Sequence, residues 1–394
     1  MNIALLLKFE IGALHKTNLG GTEQIYLEDI SEFTKRGHKV TAYARFDDTP
    51  RSIHHIPYGQ VVLCTLQHCQ WLSRTRLSKP YHALHNALLQ LLDLYYTYQF
   101  SRRTHDKVCI GYSTPLLPLF TKTAIVLFQN ADYRFFGWKV LKQRYVNGIY
   151  LFCSKYLLHR YRQRYPFLTN RNSFVLYNAV NTKNFTPPKR YHDNLTKPIK
   201  LLYCGAWAPE KGLGVLLRAL VYIQRSNPNM YTLTITSNPH MWYTDFPSID
   251  ASYIRMVRQL IRKVSGVTLL GGLKREELPQ IYHAHDYTLM PSMWEEPFGL
   301  VALESIASGT PVIAFRSGGL PEILASSNAF LLEKKIGALQ QVLQRIAQRN
   351  KGVQKPVHLT NKNKHMHMDY RIAKFSVYIN SILLHEPDMT ARNS

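Results

Sequence analysis

The chain is short of cysteine, of acidic residues and of long apolar runs, and each shortage closes a class of explanation. Five cysteines (Cys64, Cys69, Cys109, Cys153 and Cys204) are scattered over 394 residues, with no Cys-x-x-Cys among them. An odd, dispersed set argues against a disulfide framework or a zinc site and fits buried or free thiols in a reducing compartment. No stretch reaches the roughly 18 uninterrupted apolar residues of a transmembrane helix. The apolar start Met1-Asn-Ile-Ala-Leu-Leu-Leu is ended by Lys8 and Glu10, with no small-residue cleavage site after it. It reads as a buried first strand, not a signal peptide. Glycine and proline, 20 of each, show no low-complexity bias, and no repeat of solenoid or propeller period occurs.

The acid shortage is the largest of the three. Asp and Glu number 25 against 49 Lys and Arg, a formal charge of +24, and residues 1–185 hold 24 basic against 10 acidic side chains. Such a field attracts nucleic acid, acidic headgroups or phosphorylated substrates. No zinc finger, RNA-recognition signature or basic tail is present, so nucleic acid is not an expected partner. The cations are instead interleaved with Tyr and Leu, as in Lys155-Tyr-Leu-Leu-His-Arg-Tyr-Arg-Gln-Arg-Tyr165. That pattern suits an amphipathic helix lying on an acidic membrane surface, or equally a solvated basic helix face. The expected location is cytoplasmic, peripheral on the inner face of the cytoplasmic membrane. His365 and His367, two apart in Asn361–Met368, match no structural zinc spacing, and that stretch reads as a solvated loop.

What is present is a repeated strand–helix alternation, long enough for two domains of roughly 150–200 residues. The first half predicts strands at Ile3–Leu7, Lys39–Ala44, Val61–Thr65, Val108–Gly111, Ala124–Gln129, Gly148–Cys153 and Ser173–Tyr177. Helices are expected from the Gly20-Gly21 turn to about Thr34 and over Leu84–Tyr98. A polar, Pro-containing linker follows from Thr186 to Pro198. The second half predicts strands at Lys200–Cys204, Tyr231–Thr236, Val267–Leu269, Tyr287–Met290 and Val312–Phe315. Its helices are expected at Gly212–Gln224, Ala251–Val264, Glu276–His283 and Gly299–Ala307, with a candidate last helix at Phe375–Leu384. Parallel sheets with right-handed crossovers follow. The expected fold class is α/β, two Rossmann-like domains facing each other across a cleft. Residues 1–185, joined by a C-terminal helix at 370–386, form the first domain; residues 186–369 form the second.

Chemistry concentrates in Met290-Pro-Ser-Met-Trp-Glu-Glu-Pro-Phe-Gly-Leu-Val-Ala-Leu-Glu-Ser-Ile-Ala-Ser-Gly-Thr-Pro-Val-Ile-Ala314. A strand ends, a helix opens near Phe298, and Gly309 stops it. N–H groups at Phe298, Gly299, Leu300 and Val301 lack helical acceptors, and Gly299 lets a ligand approach the backbone, so a diphosphate fits there. Glu304 lies among apolar residues, where the vicinal hydroxyls of a ribose would satisfy it. Glu296, eight positions earlier, is placed for hydroxyls of a donor sugar.

This string, with Gly318-Gly-Leu-Pro-Glu322, resembles the Glu-x7-Glu signature of retaining GT-B glycosyltransferases of family 4. Leu202-Tyr-Cys-Gly-Ala-Trp-Ala-Pro-Glu-Lys-Gly212 is similar to the family's Gly-Arg-x-x-x-x-Lys-Gly turn, with Lys211 as the matching lysine and Ala206 in place of the arginine. Leu270-Gly-Gly-Leu, containing Gly272, lies where the family holds the nucleobase, and Tyr282-x-x-x-Asp286 also matches. Gly20 and Gly21 resemble the glycine turn over the donor phosphates. Gln129 stands where many relatives carry a histidine, and with Asn130 it is assigned to the acceptor side; no general base is assigned.

The resemblance implies a retaining transferase with no cofactor and no metal, in which residues 1–185 with the 370–386 helix bind the acceptor and residues 186–369 bind the nucleotide-sugar. It moves a hexose or N-acetylhexosamine, from a UDP-sugar, to a saccharide or lipid-linked acceptor in cell-surface glycan or lipopolysaccharide biosynthesis. Glu296 and Lys211 are the implied catalytic pair. A weakened homologue acting as a binding partner, or a UDP-sugar epimerase of the same fold, are the alternatives; the epimerase lacks the Glu-x7-Glu string.

Overall fold

Ile3, Ala4, Leu5 and Leu6 are all fully buried, as a strand covered on both faces by helices requires. The computed structural model describes residues 1–7, 21–44, 52–56, 59–65, 82–104, 107–130, 133–135, 137–188, 198–237, 251–325, 327–348 and 366–383. The chain divides into two compact units, residues 1–177 with 369–394, and residues 178–368.

The first unit runs β1 (Asn2–Leu6), α1 (Gly21–Lys35), β2 (Lys39–Ala44), β3 (Ser52–Ile56), β4 (Gly59–Thr65), α2 (His82–Arg102), β5 (Val108–Tyr112), β6 (Ala124–Phe128), α3 (Lys142–Val146), β7 (Ile149–Phe152), α4 (Lys155–Arg164) and β8 (Ser173–Val175). Its eight strands lie in the order β3-β4-β2-β1-β5-β6-β7-β8. Every neighbouring pair is parallel except β3 with β4.

The second unit runs β9 (Ile199–Tyr203), α5 (Leu213–Gln224), β10 (Tyr231–Ile235), α6 (Ala251–Lys263), β11 (Val267–Leu269), α7 (Leu278–His283), β12 (Tyr287–Met290), α8 (Leu300–Ala307), β13 (Val312–Phe315), α9 (Leu320–Leu324), β14 (Phe330–Leu332) and α10 (Ile336–Gln348). Its sheet order is β11-β10-β9-β12-β13-β14, parallel throughout. The last helix, α11 (Met368–Leu383), returns to the first unit and buries Phe375, Tyr378 and Ile379 in its core. Among the described residues no helix is long and apolar enough to cross a membrane.

Three expectations change. The division falls between Tyr177 and Asn178, not after Phe185, because Asn178–Thr186 packs on the second unit. There Val180 bridges His367, Phe185 lies 6.4 Å from Tyr282, and the His283 ring donates to the Thr186 carbonyl at 2.7 Å. The end of the histidine-rich stretch is not solvated: Met366 is buried, and its carbonyl accepts from Val180 N–H at 3.1 Å. The antiparallel strand β3 is unexpected, its apolar run interrupted by His54 and His55; so are α9, β14 and α10. Of the two readings of Lys155–Tyr165, α4 fits the solvated basic face: Leu157 and Tyr161 are buried, and the basic side faces solvent.

Candidate functional site

β9 and β12 are neighbours in the second sheet, but the chain passes from β9 to β10 and β11 on one side before re-entering at β12 on the other. That reversal is a topological switch point, where the loops after adjacent strands separate and leave room for a ligand. The loops after β9, β12 and β13 carry Lys211, Glu296 and Gly318-Gly319 respectively.

The first two loops meet backbone to backbone. Gly212 has φ +75°, and a Cβ there would lie 1.8 Å from the Pro291 carbonyl oxygen. Met293 N–H donates to the Glu210 carbonyl at 2.7 Å. This approach sets Lys211 Nζ 2.7 Å from Glu296 Oε1, with the ammonium 4.4 Å from the centroid of the Trp294 ring. Ser292 Oγ donates to the same Glu296 oxygen at 2.9 Å. Burial pushes the Glu296 carboxyl up, but the Lys211 charge and hydrogen bonds from Lys211, Trp294 and Ser292 outweigh it, holding the group below the usual carboxylate range. The Glu296 backbone is held from the third loop. Its N–H donates to Ser317 Oγ at 3.2 Å, and its carbonyl accepts from Gly319 N–H at 2.8 Å. A Cβ at Gly318 (φ +50°) would fall 2.0 Å from that carbonyl oxygen, which is why a glycine stands there.

Three residues past Glu296, Gly299 (φ +109°) precedes α8 without any side-chain cap. Phe298 is buried, and Leu300 and Val301 are half-buried at the start of the helix, where first-turn N–H groups have no intrahelical acceptor. One turn further, Glu304 is buried but already satisfied by the protein. Arg275 Nη1 pairs with its Oε1, and Tyr282 Oη donates to Oε2 at 2.9 Å. The expectation that ribose hydroxyls alone would satisfy Glu304 is therefore corrected. Each carboxylate oxygen has a second lone pair, so these two bonds do not exhaust its accepting capacity. The Arg275 guanidinium also lies 5.0 Å over the Phe185 ring. Nearby, burial pushes the Cys204 thiol up to about 12.

The remaining predicted residues are dispersed. Gly272 is half-buried in the turn after β11, next to a depression of about 460 Å³ lined by Trp207, Leu269, Leu270, Gly271, Arg258 and Arg262. Gly21 opens α1 in the first unit, and Gly20 lies outside the described residues. Gln129, buried, and Asn130, half-buried, follow β6 in that same unit. The Asn130 carbonyl accepts from Tyr161 Oη at 3.1 Å, so its backbone serves the framework. Ala206 packs against Ala208 and Ile254. Sequence reasoning missed Ser292, Trp294 and Arg275. Trp294 adjoins the motif and could have been flagged, whereas nothing in the sequence separates Arg275 from Lys274 beside it. Asp286 holds the start of β9, its Oδ2 accepting from Lys200 N–H at 2.7 Å.

Residues 198–350 match the family of glycosyl transferases group 1. Over 125 residues the chain is 30% identical to lipopolysaccharide 1,2-N-acetylglucosaminetransferase of Salmonella typhimurium, a stretch that covers 32% of each chain. The match thus spans about a third of that curated relative. Among solved structures, sucrose-phosphate synthase from Thermosynechococcus elongatus aligns with a TM-score of 0.72 at 18% identity, covering 98% of this chain and 100% of that one. HepE of Anabaena, in complex with UDP-glucose, aligns with a TM-score of 0.65 at 16% identity, covering 97% and 100%. The fold is GT-B.

Proposed function

We propose, from a second unit whose residues 198–350 match the glycosyl transferases group 1 family, that the chain transfers a hexose or N-acetylhexosamine from a UDP-sugar to a saccharide or lipid-linked acceptor of a cell-surface glycan or lipopolysaccharide. The observation that carries this reading is the Lys211–Glu296 pair at the switch point, three residues from the uncapped start of α8.

In this reading the donor diphosphate lies against the first turn of α8, where N–H groups and the helix dipole favour negative charge. Lys211, oriented by Glu296 and Trp294, faces the phosphates, and Glu296 accepts from hydroxyls of the sugar. Glu304 takes the ribose hydroxyls beside Arg275 and Tyr282, so it binds the donor and does not attack it. The acceptor hydroxyl oxygen bonds to the anomeric carbon from the leaving-group side as the bond from that carbon to the phosphate oxygen breaks. The electron pair of the broken bond leaves with UDP, and the acceptor proton passes to a phosphate oxygen. Charge growing on the diphosphate is stabilised by Lys211 and by the first turn of α8. Configuration is retained, and no metal is needed.

Calorimetric titration with UDP tests the assignment. Glu304→Ala should abolish binding that the natural chain shows, and unchanged affinity would remove the basis of the reading. Transfer should survive a chelator and give a product of the same anomeric configuration as the donor.

A further inference from the structure

Residues 133–177 contain nine Lys or Arg and not one Asp or Glu. All nine except Arg162 are exposed; Arg162 turns inwards to Ser173 Oγ at 2.9 Å and the Thr169 carbonyl at 3.1 Å. Within this stretch, Gly137–Asn147 also projects apolar surface. Val140 is 88% exposed and Val146 40%. They alternate with exposed Lys139, Lys142 and Arg144.

A single exposed valine is ordinary, but this one tops a segment fastened from beneath. Buried Tyr145 stacks on Phe167 at 5.4 Å, and Trp138 meets Tyr165 edge-on at 5.9 Å. Val140 and Leu141 N–H groups both donate to the Gly137 carbonyl, at 3.0 and 2.9 Å. The same contacts bring further cations alongside. Arg164 lies 5.5 Å over the Tyr165 ring that Trp138 touches. Asn172 Nδ2 donates to the Val146 carbonyl at 3.4 Å, and Arg171, exposed, precedes Asn172 in the chain. Lys139, Lys142 and Arg144 thus flank Val140 and Val146 along the chain, and Arg164 and Arg171 lie on the segments that pack against theirs.

We propose that this face of the first unit docks on a membrane surface containing anionic lipid. Headgroup phosphates take the five cations, and Val140 enters the boundary between headgroups and acyl chains. α4 contributes charge only, because its Leu157 and Tyr161 are spent on the core. Charge alone would fit a polynucleotide as well. The apolar tip separates the two, since a polynucleotide backbone would leave Val140 in water whereas a bilayer receives it. The inference stands independently of the transfer reaction.

The test is co-sedimentation of the full chain with phosphatidylcholine vesicles, with and without phosphatidylglycerol, at low and physiological salt. Binding should require phosphatidylglycerol and weaken as salt rises. Each cation removed should weaken it about fivefold, so Lys139→Ala with Lys142→Ala and Arg144→Ala should weaken it about a hundredfold. Val140→Asp should weaken it about tenfold, while its thermal unfolding by circular dichroism matches that of the natural chain. Absence of binding to anionic vesicles would overturn the proposal. So would Val140→Asp binding them as tightly as the natural chain, or a DNA duplex held more tightly than the vesicles and insensitive to Val140.

Discussion

Inside the second unit Glu304 meets a guanidinium and a phenol, while Glu296 meets an ammonium and an indole, so each substitution acts through the partner it leaves behind. Arg275→Met leaves the buried Glu304 carboxylate its hydrogen bond from Tyr282 but no counter-charge from Arg275. The cost should be about 3 kcal/mol by urea denaturation, together with altered UDP affinity; an unchanged midpoint would show that the pair contributes nothing. Lys211→Met should lower turnover about a hundredfold or more, as loss of a donor to a developing oxyanion does. It also has a pH signature. Since Glu296 titrates below its ordinary value, its contribution to stability is complete above about 4.5 and disappears as pH falls through the lowered folded value. The stability gap between the natural chain and Lys211→Met should therefore narrow with acidification, measured by denaturation at successive pH values. Glu296 and Glu304 could be picked out from sequence by their spacing around a glycine-opened helix. Their protein partners could not, because a cation's contacts do not follow from its neighbours along the chain.

Turns and helices set the site through close approach. Gly318→Ala forces a Cβ towards the Glu296 carbonyl, whereas at Gly37 (φ +76°) an added Cβ meets nothing within 4 Å. Gly37→Ala should thus cost only backbone strain, about 1 kcal/mol, with turnover per folded molecule unchanged. Gly318→Ala should lose turnover as well, and equal activity in the two variants would refute the cradle. In the first unit, α11 is pinned by Arg371, whose Nε and Nη2 donate to the fully buried Asp29 at 2.8 and 2.6 Å, and whose Nη1 donates to the Tyr177 carbonyl at 2.8 Å. Burial works against the guanidinium charge, and Asp29 more than offsets it. Arg371→Met should cost about 3–5 kcal/mol, seen as a lower thermal midpoint, with Asp29→Asn in the same chain recovering part of it. The buried strands were legible as apolar runs between glycines and prolines. β3 was not, because a polar edge strand has no such run.

At the scale of the whole chain, two sheets, parallel except at the β3–β4 edge of the first, are joined by two crossings and carry a formal charge of +24. A ligand that binds only the native state raises its stability, by about 2.7 kcal/mol at a hundredfold excess over Kd. UDP should therefore raise the melting temperature with concentration, and Glu304→Ala should remove the rise. From sequence alone came the alternation, the two-sheet class, the positive field and the Glu296–Glu304 helix, since periodicity, helix stops and composition are local properties. Tertiary structure alone decided the rest. It joined Lys211 to Glu296 across 85 residues and Arg275 to Glu304 across 29, and turned the apolar face of α4 inwards. Those outcomes depend on which strands become neighbours and how closely their loops approach, and no window of sequence contains that information.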